Sequence, residues 1–97
     1  MHALQVPLTV PLWLNEYPIF PGAQEFLFIY EMRFRSLFND VESSEKGIFG
    51  WCYESEDGHI APVGCLCKII ERKKLRDGRG IYVIEAISKI SIQVIFF

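Results

Sequence analysis

Pro18-Ile19-Phe20-Pro21-Gly22 and, six residues on, Phe28-Ile29-Tyr30-Glu31-Met32-Arg33-Phe34-Arg35-Ser36-Leu37 carry the reading of this fold. The Pro21-Gly22 step is a turn signal, because proline fixes its own φ and glycine accepts a positive one. Past it, Phe26, Phe28 and Tyr30 alternate with Leu27, Ile29 and Glu31, the two-residue period of a strand. Neither side of that alternation is polar before Glu31, so a strand buried on both faces is expected. The period then changes. Phe34, Leu37, Phe38 and Val41 fall at i, i+3, i+4 and i+7, one apolar stripe of a helix from about Met32 to Glu42. Arg33, Arg35 and Asp40 lie largely off that stripe.

Upstream, Val6, Leu8, Val10, Leu12 and Leu14 hold the even positions against Gln5, Pro7, Thr9, Pro11, Trp13 and Asn15. This pattern predicts a one-faced strand with the even side inward and Trp13 outward. Pro7 and Pro11 cannot donate to a ladder, which places the strand at an edge or breaks it near Pro11. Downstream of the helix, the polar run 43–46 ends in Gly47, as helices commonly do. Ile48-Phe49-Gly50-Trp51-Cys52-Tyr53 reads as a strand in which Gly50 marks a bulge or a close backbone approach.

Ser55-Glu56-Asp57-Gly58 and Arg76-Asp77-Gly78-Arg79 are hairpin turns. Between them Val63, Cys65, Cys67 and Ile69 share one strand face, with Leu66, Lys68, Ile70 and Arg72 on the other. After the second turn Ile81, Val83, Glu85 and Ile87 oppose Tyr82, Ile84 and Ala86. A final strand sets Ile90, Ile92, Val94 and Phe96 on one face and runs apolar to Phe97, which reads as a truncation or as a surface for self-association. Five or six strands with one short helix predict a single mainly β domain over residues 1–97, closed or nearly closed into a small barrel.

The turn and helix motifs resemble the N-terminal substrate-binding domain of the Lon protease family. That family shows a Pro-[Leu/Ile]-Phe-Pro-Gly turn followed by Phe-Glu-x-Arg-[Tyr/Phe]-Arg, here Pro18 to Gly22 and Tyr30 to Arg35, with Tyr30 in the usual place of Phe. Ile48-Phe49-Gly50, the strand Pro62-Val63-Gly64 onward to Ile69, and Leu75-Arg76-Asp77-Gly78-Arg79 extend the likeness, so that it covers roughly residues 8 to 95. Two departures stand out: Glu85-Ala86-Ile87-Ser88-Lys89-Ile90 replaces the family's later Gly-x-x-Arg-Phe, and the C-terminal helical part of the full domain has no counterpart. The resemblance implies a PUA-like pseudobarrel of about six strands. Its implied role is non-catalytic recognition of unfolded or peptide substrates for a Lon-type ATPase and protease, within protein quality control or as an adaptor. Pro18, Phe20, Pro21, Gly22, Glu31, Arg33, Arg35, Gly64, Asp77 and Gly78 are its structural motif residues.

Composition narrows the alternatives. A formal charge of -2 and a pI near 5.6 argue against broad affinity for nucleic acid, which needs an excess of Lys and Arg. Cys52, Cys65 and Cys67 are an odd number set in apolar runs, unlike a secreted disulfide framework, so a reducing compartment is expected. With neither a signal-like start nor a membrane-span-length apolar run, the sequence reads as a soluble intracellular protein of the cytoplasm or of an organelle such as a plastid or mitochondrion.

Each chemical constellation has a plainer explanation. The cysteines with His59 are spaced C-x12-C-x-C, not as paired zinc knuckles, and pack as small hydrophobes; no metal or other cofactor is expected. Thiol catalysis would need a base, and only His2 and His59 are present. Glu31 reads as a structural carboxylate at a strand-to-helix junction, paired with an arginine, whose loss should destabilise more than a typical surface change. The run Glu71-Arg72-Lys73-Lys74 with Arg76 and Arg79 reads as a solvated hairpin, the alternative being the RNA-binding surface of a PUA-like module. A third possibility is a stand-alone scaffold or regulator without a protease. No GxxxxGK[ST] segment and no Ser-Lys dyad of the family's protease part are encoded, so no enzyme activity is expected. Trp13, Phe20 and Trp51 are the candidate substrate-binding residues, lining a shallow apolar groove or else completing the core.

Overall fold

The structure is a computed structural model and describes residues 10–43 and 47–92. It is mainly β with one helix: β1 (Leu12–Asn15), β2 (Gln24–Ile29), α1 (Met32–Ser43), β3 (Ile48–Tyr53), β4 (Val63–Lys74) and β5 (Gly80–Ser91). The strands form a single sheet in the order β1-β3-β4-β5-β2. β1 runs parallel to β3 and every other pair is antiparallel.

The Pro18–Gly22 segment carries the chain from one edge of this sheet to the other. The Ala23 amide donates to the Phe20 carbonyl at 3.0 Å around Pro21 and Gly22, and Gly22 has φ +90°. Proline followed by a positive-φ glycine at the two central positions is the type II pattern. The Gly22 amide then donates to Ala86, and the Ala86 amide to Ala23, both at 2.9 Å. The turn is thus tied to β5 before β2 begins, and Ile19 is buried beneath it.

Several expectations need correction. The described sheet is five-stranded and not closed into a barrel, because β1 and β2 each pair with one neighbour and sit at opposite ends. The β1 edge faces the β2–α1 junction across a groove instead of bonding to it. No turn interrupts β5 near Ile90, so the expected separate final strand is instead the end of β5, and its residues 93–97 lie outside the described residues, as do residues 1–9 of the first strand.

The side chains of β1 also have the opposite parity to that expected. Trp13 is 8% exposed and points into the core, while Leu12 and Leu14 are each 40% exposed. Burying the indole removes more apolar surface from water than burying one leucine. Gly50 makes room for Leu12, since a Cβ there would lie 2.6 Å from Leu12 Cδ2; close approach, not a bulge, explains this glycine. β2 is buried on one face only: Leu27 and Ile29 are inside, whereas Phe26 and Phe28 are exposed on the outer face of an edge strand.

The helix stripe is as expected. Phe38 and Val41 are fully buried, and Phe34 and Leu37 pack against the same core. Phe38 sits at its centre, with ring centroids 5.4 Å from Trp13, 5.4 Å from Phe49 and 4.7 Å from Tyr82. β4 and β5 meet around the Leu75–Arg79 turn, with Gly78 at φ +88°, and shift register twice. Each shift leaves one residue unpaired, Ile87 in β5 and Ile70 in β4, and both isoleucines are exposed.

Candidate peptide-binding groove

Residues 12 to 17 line one groove in unbroken succession, with Tyr30, Arg33, Phe34 and Leu37 on the other wall and Glu54 at one end; it encloses about 920 Å³. Successive strand residues point to opposite faces, so a surface touched by all of them runs along the edge of the strand. That edge is the one β1 does not use for β3. Trp13 forms part of the wall, its ring edge-on to Phe34 at 5.7 Å. The Trp13 indole N–H is buried and has no acceptor among the described residues. The Trp51 indole, by contrast, donates to the Tyr17 carbonyl at 2.9 Å and holds the end of the groove-lining segment to the core. Burial and, secondarily, the Glu25 charge push the Tyr17 phenol above its usual value.

The three candidate aromatics do not share this groove. Phe20, 65% exposed, and Trp51, 1% exposed, border a smaller cavity of about 230 Å³ with Ile19, Tyr53, Gly64 and Lys89. Trp13 and Trp51 meet instead inside the core, with centroids 5.1 Å apart. The three therefore do not form a single aromatic platform: Trp13 and Trp51 are chiefly core, and of the three Phe20 alone is open to solvent.

Glu31 and Arg33 are paired as expected, Oε2 to Nε at 2.9 Å, but the pair is exposed. The Glu31 main-chain carbonyl, not its carboxylate, accepts the Phe34 and Arg35 amides that open the helix. Arg35 donates through Nε to the Tyr30 carbonyl at 3.0 Å and through Nη1 to the Asp77 carbonyl at 3.2 Å.

Three residues of the basic run, Arg72, Lys74 and Arg79, have acidic partners. Glu42, its side chain 14% exposed, accepts the Tyr82 hydroxyl and lies 3.3 Å from Lys74 Nζ and 3.7 Å from Arg72 Nη1. Lys74 also donates to Asn39 at 3.0 Å. Arg79 is paired with Asp77, whose carboxyl is held below its usual range first by the Arg79 amide. Ser55, Asp57 and His59 bring together the residue types of a hydrolase triad, yet Ser55 Oγ donates to Asp57 and the imidazole also turns to Asp57, at 2.8 Å. With no base facing the hydroxyl, this is an exposed turn clasp. All three cysteines are buried, and burial raises each thiol, Cys67 to about 12.

Leu12, Leu14, Glu16, Tyr17, Tyr30, Leu37 and Glu54 are groove residues that sequence pattern did not single out. The signal present was Pro11, which marks an edge strand; a groove follows only once α1 is placed beside that edge.

No protein-family model matches the sequence, and comparison with curated protein sequences gives no match. Comparison with solved structures does. Among the described residues, an open five-stranded sheet with a single helix, strapped by the 18–22 turn, defines a small mainly β domain. Its fold is that of Lon N-terminal domains. It superposes on a Lon N-terminal domain protein from Xanthomonas campestris with TM-score 0.73 and 24% identity, over 88% of this chain and 49% of that one. It superposes on the N-terminal domain of Mycobacterium avium complex Lon protease with TM-score 0.69 and 19% identity, over 88% and 45%. This chain thus spans about half the length of the solved structures it matches. Among the described residues no helix is long and apolar enough to cross a membrane.

Proposed function

We propose that this domain holds extended segments of unfolded or peptide substrates in the groove beside β1, and that it binds without making or breaking bonds. The observation that carries this reading is the position of the groove along the edge of β1 that pairs with no other strand among the described residues. Main-chain groups on such an edge can pair with an added strand, while Trp13, Phe34 and Leu37 offer apolar contacts to its side chains. Likeness in fold to Lon N-terminal domains supports the same reading. A Lon-type ATPase and protease is the partner that would act on what is held, in protein quality control or adaptor work. Phe20, with Trp51 behind it, supplies a second apolar contact at the smaller cavity. The RNA-binding alternative draws less support, since Arg72, Lys74 and Arg79 already have acidic partners.

Titration with a reduced, unfolded model protein, followed by amide chemical shifts, tests the proposal. Shifts should cluster at residues 12–17 and 33–37. Absence of shifts at high substrate concentration, or shifts confined to the β4–β5 hairpin, would overturn it.

A further inference from the structure

We propose that the groove selects extended segments carrying a lysine or arginine next to their apolar residues, a preference set by Glu16 and Glu54. This rests on the peptide-binding reading above and adds the chemistry of the ligand to it. The β1–β3 ladder ends with Asn15 opposite Tyr53, and the Glu54 amide donates to the Asn15 carbonyl at 2.8 Å. Glu16 and Glu54 therefore each follow directly on the last residue of two adjacent parallel strands, and both line the groove.

Like charges placed side by side across strands repel. Neither carboxylate has a cationic partner among the described residues. The one arginine on the opposite wall, Arg33, has its Nε engaged by Glu31 at 2.9 Å. The end of the groove is thus acidic and uncompensated, while its middle is walled by Leu12, Trp13, Leu14, Phe34 and Leu37. At about 3.3 Å per residue, the β1 edge from Leu12 to Asn15 accommodates a strand of roughly four residues, with Glu16 just beyond its end. Apolar side chains of that strand lie against the Trp13 wall, and a cationic one at its end reaches both carboxylates. The buried Trp13 N–H, without an acceptor among the described residues, supplies a donor for a main-chain carbonyl once the wall side chains shift.

The test uses the whole chain and two fluorescent octapeptides that alternate leucine with threonine, one ending in two lysines and the other in two glutamates. Anisotropy titrations at low salt should show the lysine peptide binding about two- to fivefold more tightly, within the range for exposed ion pairs. High salt should narrow that gap. In a Glu16→Gln/Glu54→Gln variant, whose circular dichroism confirms the fold, the two affinities should converge. Equal affinities in the parent protein would overturn the charge selection and leave the peptide-binding reading standing. A preference that persists in the double variant would likewise overturn it, by placing the charge readout elsewhere. Failure of both peptides to bind would overturn both readings.

Discussion

Arg35 Nη1 and the Asp77 main-chain carbonyl, 42 residues apart in sequence, are joined at 3.2 Å. The same guanidinium holds the Tyr30 carbonyl through Nε, so one side chain ties the start of α1 to the turn between β4 and β5. The turn is shaped to receive it. Gly78 has φ +88°, and a Cβ there would lie 3.2 Å from Arg35 Nη1.

Arg35→Ala should therefore cost about 1 kcal/mol, the usual net worth of such hydrogen bonds when partly solvated. Arg35→Lys should recover only part of it, because an ammonium lacks the fork that reaches two carbonyls. Gly78→Ala should cost about as much, through its positive φ as well as the close guanidinium. Urea unfolding of the three variants measures this, and an unchanged midpoint for Arg35→Ala would mean that the strap adds no stability.

The Glu31–Arg33 pair makes the opposite case. Its side chains are 41% and 74% exposed, so the strong destabilisation expected for a buried charge pair does not follow. Glu31→Ala and Arg33→Ala should each change stability by less than about 1 kcal/mol. Thermal melts within a few degrees of the parent are the expected result; a large drop in either would require a second partner for the carboxylate or the guanidinium.

Phe38→Ala should be among the most damaging single changes. The ring is fully buried and meets Trp13, Phe49 and Tyr82, so its removal opens a cavity that three aromatic neighbours cannot readily fill. A loss of about 3–5 kcal/mol is expected. Small domains have total stabilities of roughly 5–15 kcal/mol, so this loss is a large share of the total and should lower the urea midpoint markedly, as followed by near-ultraviolet circular dichroism.

Local sequence carried the parts of this fold that depend on local physics. The Pro21-Gly22 and Asp77-Gly78 turns and the stripe Phe34, Leu37, Phe38 and Val41 are legible because backbone geometry and helical period act within a few residues. The parity of β1 was not legible. Leu12, Trp13 and Leu14 are all apolar, and only the glycine at position 50, on another strand, decides that Leu12 lies on the far face. Closure failed for a similar reason. Alternation counts strands but does not say which ends meet, and here α1 occupies the approach between β1 and β2. Of the candidate site, Trp13 was expected on the outward side of β1, whereas it lies in the core and lines the groove from there.

Alkaline pH should destabilise the fold through its thiols. Burial raises Cys67 from 9.0 to about 12 and raises Cys52 and Cys65 as well. In the unfolded chain these groups ionise near pH 9 while the folded protein keeps them protonated. The unfolded state then binds fewer protons, and stability falls as pH rises from about 9 towards 12. Each such group contributes a slope of about 1.4 kcal/mol per pH unit. Cys67→Ala should cost about 1 kcal/mol at neutral pH yet show a shallower alkaline decline. Urea midpoints at neutral and alkaline pH, compared between parent and variant, measure the slopes; parallel slopes would remove Cys67 as a source.

Two glycines in neighbouring strands should respond differently to the same methyl group. At Gly50 the nearest atom to an added Cβ is Leu12 Cδ2 at 2.6 Å, the tip of a half-exposed side chain that can rotate away. At Gly64 it is the Trp51 carbonyl oxygen, also at 2.6 Å, with Ile92 Cδ1 behind it at 3.0 Å. A carbonyl within the β3–β4 pairing cannot move without shifting the strand, and Trp51 is itself bonded to Tyr17 and packed on Trp13. Gly64→Ala should therefore cost clearly more than Gly50→Ala, by about 1–3 kcal/mol if overpacking sets the scale. Because the strain at Gly64 enters through Trp51, it should also perturb the amide signals of residues 13 and 17, whereas Gly50→Ala should leave those at 17 in place. Equal costs for the two variants, or a silent Tyr17 amide in Gly64→Ala, would show that β3 and β4 accommodate the methyl by sliding and that the Trp51 contact does not fix the groove wall.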